Sequence, residues 1–437
     1  MTNRFNSLKI KIIKKVTQIL TLNTSKNALW LLIDKIIRLG IGLFVGILVA
    51  RYLGPEFFGK WNYVIALIAL MSALSTLGLD QILVKHLLEK TENEDVILGT
   101  AFWLRLTGSF ACTLIGCLYL YVFKSDKELI LLGLLTSANL WFQSFDVIDL
   151  KNQSLLLSKK TVLIKNSAFL LVAIVKLIII YRGLSLMFLV LATLIEFFLG
   201  ALGLVFNYGF EKVIKWKFNI KYCQLLFRQC WPLILSGVII MLYMRLDQVM
   251  IGEILGDKFV GYYSISTRFT ELWYFIPSIF VTSTFPSLIN KNNEEGLLYK
   301  QACLKLLKIL FLLSFSISIF FMFFSEPIIF HLYGDEYMSA VFTLKVSIWT
   351  GVFVFWGMAA GNFLVIENLS RHNFTKSIQG LVINIILNVI LIPKYGINGA
   401  AIATLISQSY ASYFYYAFYK ETRHIFKLQT QSILIFK

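Results

Sequence analysis

Charge is what this chain has least of for its size. Only 15% of its 437 residues are Asp, Glu, Lys or Arg, against roughly 25% in an ordinary soluble domain. So little charge cannot cover a water-facing surface, which excludes a soluble globular protein. Proline is also scarce, with six residues, so few helices need be interrupted. The four histidines, His86, His331, His372 and His424, are scattered, which speaks against a zinc or haem site. The five cysteines, at 112, 117, 223, 230 and 303, form no CxxC pair. They read as small apolar residues, with no disulfide framework and no metal site implied. HExxH, GxSxG and phosphate-loop motifs are missing, as is any long charged outward loop, so an enzyme would lack its constellation. The basic amino-terminal stretch has no small-x-small cleavage site, and a full-length span follows it, so it is not read as a secretory signal.

What the chain has instead is apolar length: 58% of it is hydrophobic and 15% aromatic. A bilayer core needs roughly 20 apolar residues per helix. Twelve stretches meet that need, at about 30–52, 58–79, 98–123, 128–149, 161–181, 184–207, 226–251, 260–288, 303–324, 338–364, 372–392 and 397–419. They are too long and too uniformly apolar for barrel strands. Bare peptide groups find no partner in lipid, so the spans are helices. An even number of spans puts both termini on one side. Lys and Arg concentrate in the tails and in the loops of that side, which points it to the cytoplasm. The loop from Phe324 to Tyr337 carries Glu326, Asp335 and Glu336 without Lys or Arg, as an outward loop would. The net charge of +17 is then inner-loop charge facing anionic lipid, and nucleic-acid binding is not expected.

Residues 1–27 place Phe5, Leu8, Ile12, Val16 and Ile19 at helical spacing among Lys9, Lys11, Lys14 and Lys15, an expected amphipathic helix on the inner leaflet. The segment 211–225, with Lys212, Lys215, Trp216, Lys217 and Phe218, is an expected second one. It divides the chain into a six-helix half at 28–210, a six-helix half at 226–420, and a cytoplasmic tail at 421–437. The run Leu53-Gly54-Pro55-Glu56-Phe57-Phe58-Gly59-Lys60-Trp61 and the run Leu255-Gly256-Asp257-Lys258-Phe259-Val260-Gly261-Tyr262-Tyr263 share the pattern L-G-x-x-F-x-G-x-aromatic. Each stands in the first interhelical turn of a half. A repeat of six helices keeps its orientation, and such repeats are a transporter device in which substrate sits between halves that rock.

The runs ARYLGPEFFGKW, LSTLGLDQILVKHL, RLDQVMIGEILG, LYGDEYMSA and YGINGAAIATLIS together resemble the polysaccharide biosynthesis proteins, or O-antigen flippases. These belong to the MOP exporter superfamily, with the MATE antiporters and the lipid II flippase. The resemblance covers nearly the whole chain and rests on packing and turn motifs. It implies an all-α membrane fold of about 12 helices, in two pseudo-symmetric six-helix bundles around a central cavity. It further implies a cytoplasmic-membrane flippase that moves an undecaprenyl-diphosphate-linked oligosaccharide to the outer leaflet by alternating access. Expected partners are that substrate, membrane lipids, and a polysaccharide polymerase with its chain-length machinery. No cofactor is expected beyond a coupling proton or sodium ion. A MATE-like small-molecule antiporter and a membrane-embedded glycan-assembly enzyme are the alternatives.

Ionisable residues inside spans are functional candidates by default. Arg38, Arg105 and Lys165 lie toward the inner side of three helices of the first half, and Arg245 and Arg268 lie near the outer ends of spans seven and eight. Guanidinium groups bind phosphate oxygens in pairs, so these five are the expected diphosphate and sugar contacts. Asp34, Glu196, Asp247 and Glu271 are candidates for ion coupling or ion pairing. Asp34 with Arg38 (i, i+4) and Arg268 with Glu271 (i, i+3) are also spaced to form purely structural pairs. Lys176 is placed to snorkel from the outer end of span five, and Glu196 stands alone in the middle of span six.

Overall fold

The computed structural model describes residues 2–294 and 296–434, with side chains described from Trp30 onward except those of 292–296. Among the described residues there is no strand. The helices are α1 (Thr2–Thr76), α2 (Leu79–Glu89), α3 (Glu94–Phe123), α4 (Lys127–Gln143), α5 (Val147–Ser154), α6 (Ser158–Tyr181), α7 (Leu186–Tyr208), α8 (Phe210–Ile214), α9 (Ile220–Ile254), α10 (Asp257–Leu272), α11 (Phe275–Glu294), α12 (Gly296–Tyr333), α13 (Ala340–Ser347), α14 (Thr350–Ile366), α15 (Arg371–Ser409), α16 (Tyr415–Phe418) and α17 (Arg423–Ile433).

Eight helical stretches among the described residues are long and apolar enough to cross a membrane. They hold nine of the expected spans, because α15 and its continuation carry two on either side of Gly396. The other three are α4, one residue short of that length, and the two arms of α1, which join at Gly54. The twelve expected spans are thus accounted for, and the protein is an all-α multi-pass membrane protein. Phe110, Leu114, Leu118 and Tyr121 stand exposed along one face of α3 at helical spacing. An apolar stripe of that kind suits lipid rather than water.

The chain forms two compact units. One comprises the chain up to Val49 with Met71–Leu235, and the other comprises Ala50–Leu70 with Ser236 onward. The boundary expected from sequence alone left residues 50–70 with the first half. They pack with the second unit because the two copies of the repeat meet there. Gly54 (φ 68°, ψ 172°) and Gly256 (φ 97°, ψ 171°) turn the same left-handed corner between helices. Gly59 and Gly261 then abut reciprocally. A Cβ on Gly59 would lie 1.8 Å from the Asp257 carbonyl oxygen, and a Cβ on Gly261 would lie 2.2 Å from that of Pro55. Only glycine permits two backbones so close. Around the contact, the buried Tyr63 hydroxyl donates to Glu253, and the Tyr337 hydroxyl donates to the Ala50 carbonyl at 2.7 Å.

In the first unit, α3 packs on α4, α6 and α4 pack on α7, and α2 packs on α5. The expected linker is held to this unit, since the Lys217 amide donates to the Asp95 carbonyl at 3.0 Å and Trp216 lies against Phe102 and Tyr208. The expected amphipathic surface of residues 1–27 falls on side chains outside the description, although the backbone from Thr2 is helical. In the second unit, α10 and α15 pack on α13, and α12 packs on α14. Its core gathers Phe355, Trp356, Phe363, Tyr415 and Tyr416. The expected tail at 421–437 contains α17, whose Ile425 and Leu428 are buried in that core. The reason lies in α17's spacing of apolar residues, which gives it a face to lay against α12.

Three expected continuous spans are broken. A tight turn at Ser144–Asp146 separates α4 from α5, Trp273 and Tyr274 separate α10 from α11, and Ile348 and Trp349 separate α13 from α14. A π turn also interrupts the last span at Tyr410–Phe414. Irregular backbone at membrane depth is tolerated where protein or a cavity meets its free groups, and these breaks adjoin the pockets described next.

Candidate functional site

In the first unit, α1, the turn after α4, α5, α6 and α7 converge on a pocket of about 290 Å³ lined by Asp34, Arg38, Asp146, Asp149, Lys165 and Glu196, with apolar neighbours. The Arg38 guanidinium donates to Asp34 Oδ1 at 3.0 Å, lies 3.9 Å from Glu196 Oε1, and sits over the Phe169 ring. The Lys165 ammonium lies 2.8 Å from Asp146 and 3.4 Å from Asp149. A second pocket of about 240 Å³ shares Gln143, Asp146 and Asp149 with the first and holds the buried Arg105, which is bound to Asp80. Arg38, Lys165 and Arg105, picked from three separate helices, are therefore gathered at two adjoining pockets. Each already holds a carboxylate.

Glu196, expected to stand alone, does not: Lys176 Nζ lies 3.7 Å from its Oε2, while Arg38 faces its other oxygen. Lys176 therefore turns inward to Glu196 instead of snorkelling outward. Pairing relieves the cost of a charge at membrane depth, and Glu196 on the neighbouring helix supplies the partner. Asp80 was missed by sequence reasoning. Its signal was its place in the LSTLGLDQ motif, where the carboxylate opens α2 beside the helix that carries Arg105.

In the second unit, the breaks after α10 and α13 and the approach to the π turn meet at a pocket of about 210 Å³. Its lining includes Asp247, Tyr263, Glu271, Tyr274, Thr404 and Gln408. Arg245 grips Glu271 with two parallel bonds of 3.1 Å each. The spacing argument had assigned Glu271 to Arg268, but here the long-range partner takes it, because a bidentate fork needs both carboxylate oxygens. Arg268 is half-buried.

Asp247 has a different environment. It is buried and meets neutral donors: Tyr263 at 2.8 Å, Asn388 at 2.6 Å, and Thr404. Asn384 backs them by accepting from Asn388 at 3.0 Å. Among the described residues no Lys or Arg pairs with Asp247, and the Asn388 amide oxygen, an acceptor, is buried without a hydrogen-bond partner. A buried carboxylate that meets only neutral groups is a place where a proton or a small hard cation can be taken up. Asn384 and Asn388 were overlooked at the sequence level. Their signal was an i, i+4 pair of amides inside an otherwise apolar span.

Residues 48–342 match the model of a family described as polysaccharide biosynthesis protein. Probable flippase AglR from Haloferax volcanii is 27% identical over 186 residues, which is 39% of this chain and 37% of that one. The match thus spans little more than a third of that relative's length. A structure of the lipid II flippase MurJ in an inward closed conformation superposes with a TM-score of 0.70 at 17% identity, over 93% of this chain and 90% of that one. An inward-facing multidrug resistance MATE family transporter of the MOP superfamily gives a TM-score of 0.70 at 16% identity, over 91% and 96%. The chain thus shares the fold of these two proteins.

Proposed function

The chain belongs to the polysaccharide biosynthesis protein family, and from that premise we propose that it moves an undecaprenyl-diphosphate-linked oligosaccharide from the inner to the outer leaflet of the cytoplasmic membrane. The family match over residues 48–342 carries this reading. The gathered cations support it. A diphosphate cannot cross hydrocarbon bare, and a carboxylate-held arginine can exchange its carboxylate for a phosphate oxygen without ever being left unpaired. In this scheme Arg38, Arg105 and Lys165 receive the diphosphate from the inner side, and Arg245 and Arg268 hand it on.

A cation antiporter needs the opposite, carboxylates free of cations. Asp34, Glu196 and Glu271, all coupling candidates by sequence, are each held by Arg or Lys. Asp247 is not, so it is the proposed coupling residue, taking a proton or a sodium ion. The deciding experiment uses cells lacking the chain. Surface glycan should disappear and lipid-linked oligosaccharide should accumulate on the inner leaflet, with both reversed by the wild-type chain. Replacing Arg38 and Arg245 by Lys keeps the charge but loses the paired donors, and should restore export only in part at normal protein level. Unchanged surface glycan in cells lacking the chain would reject the flippase reading.

The proposed orientation puts both termini and residues 211–225 in the cytoplasm and Phe324 to Tyr337 outside. An engineered cysteine replacing Lys217 should resist an impermeant thiol reagent added to intact cells and react once the membrane is opened. Labelling from outside would invert the topology.

A further inference from the structure

Lys376 is the sixth residue of α15, in a first stretch that also carries Asn373, Thr375, Ser377 and Gln379. It is 9% exposed. Its ammonium donates to the Tyr416 hydroxyl at 2.7 Å and to the Gly357 carbonyl at 3.4 Å. Both partners are neutral. Among the described residues no carboxylate lies within ion-pairing distance of it, whereas Arg38, Arg105, Lys165, Lys176 and Arg245 each have one. Lys376 lines a chamber of about 390 Å³ inside the second unit, with Tyr243, Ser377, Gln408 and Ser412. The π turn helps to shape this wall, since it carries Ser412, which accepts from Gln408 at 3.1 Å.

A buried cation whose neighbours are neutral is costly unless an anion completes it. The chamber has the size of a small-molecule pocket, and beside Lys376 its polar groups are the Tyr243, Ser377 and Ser412 hydroxyls and the Gln408 amide, already bonded within the protein. We infer that this chamber is an anion site in which Lys376 receives a phosphate or carboxylate group of the transported molecule. The inference rests on the flippase reading and adds a contact point that the paired arginines do not supply. The chamber also shares Tyr243, Met244, Val354 and Gln408 with the pocket that holds Asp247. Anion and coupling cation would therefore sit on two sides of one wall, where each neutralises part of the other's field.

The anion has two possible sources, the lipid diphosphate or an acidic sugar. Purified protein is titrated with geranylgeranyl diphosphate, which has no sugar, and separately with a glucuronic-acid oligosaccharide, which has no lipid. Wild type should bind at least one of them, and that one identifies the source. Lys376→Met should weaken the binding by roughly tenfold or more, the size of a lost charge-assisted hydrogen bond in a dry site, and Lys376→Arg should keep most of it. A readout on wild type covers the case of a misfolded variant: the bound probe should slow amine labelling of Lys376 and leave the exposed Lys300 unaffected. Binding that Lys376→Met does not weaken, or labelling of Lys376 that no probe slows, overturns the anion site while leaving the flippase reading intact. If wild type binds neither probe, both fall.

Discussion

Gly59→Ala should leave little folded protein. The new Cβ would fall 1.8 Å from the Asp257 carbonyl oxygen and 2.7 Å from the Gly261 nitrogen. Both are backbone atoms in helix-bounded corners and cannot rotate away as a side chain could. Overpacking a tight interior costs roughly 1–3 kcal/mol even when side chains absorb it, and here two main chains must separate. Gly261→Ala should behave alike, because its Cβ would meet the Pro55 carbonyl at 2.2 Å. Gly351→Ala is the control, since nothing lies within 4 Å of the added carbon. The measurement is the yield of monodisperse protein in detergent. Normal yield of Gly59→Ala would mean that the two corners do not meet in the membrane.

Asp247→Asn should nearly abolish export while the protein stays folded. The amide keeps the shape of the carboxylate, and the Tyr263 and Thr404 hydroxyls can turn from donating to accepting. What disappears is the ionisable oxygen that would take up the proton or sodium ion. Asp247→Ala should instead reduce folded protein, because it strands buried donors at about 1–3 kcal/mol each. Export is then followed at varied pH and at varied sodium concentration. Wild type should respond to one of the two, and Asp247→Asn to neither. Wild-type export rates from Asp247→Asn would remove this residue from the coupling step.

The first candidate site was partly legible. Depth along each span brought Arg38, Arg105 and Lys165 into one list, and they do occupy two adjoining pockets. Their partners were harder to read. Asp34 lies one helical turn from Arg38, so spacing was enough to find it. Asp80 is 25 residues from Arg105, and Glu271 is 26 from Arg245. No local period connects such pairs, because helix spacing reports only neighbours on the same helix. Lys376 lay inside an expected span and went unremarked. Its burial comes from Tyr416 and Gly357, which sequence distance hides.

Sequence by itself determined the solvent, the helical class and the number of spans, since these follow from apolar length and from the need to satisfy every peptide group in lipid. It also marked the repeated corner, because a left-handed turn and a close backbone approach both demand glycine. Only the tertiary structure decided which unit residues 50–70 join, where the spans break, and which charges are neutralised. Those outcomes depend on contacts between residues far apart in the chain. In a membrane interior the charge that matters is the one left without an ionic partner, and pairing across helices settles which one that is.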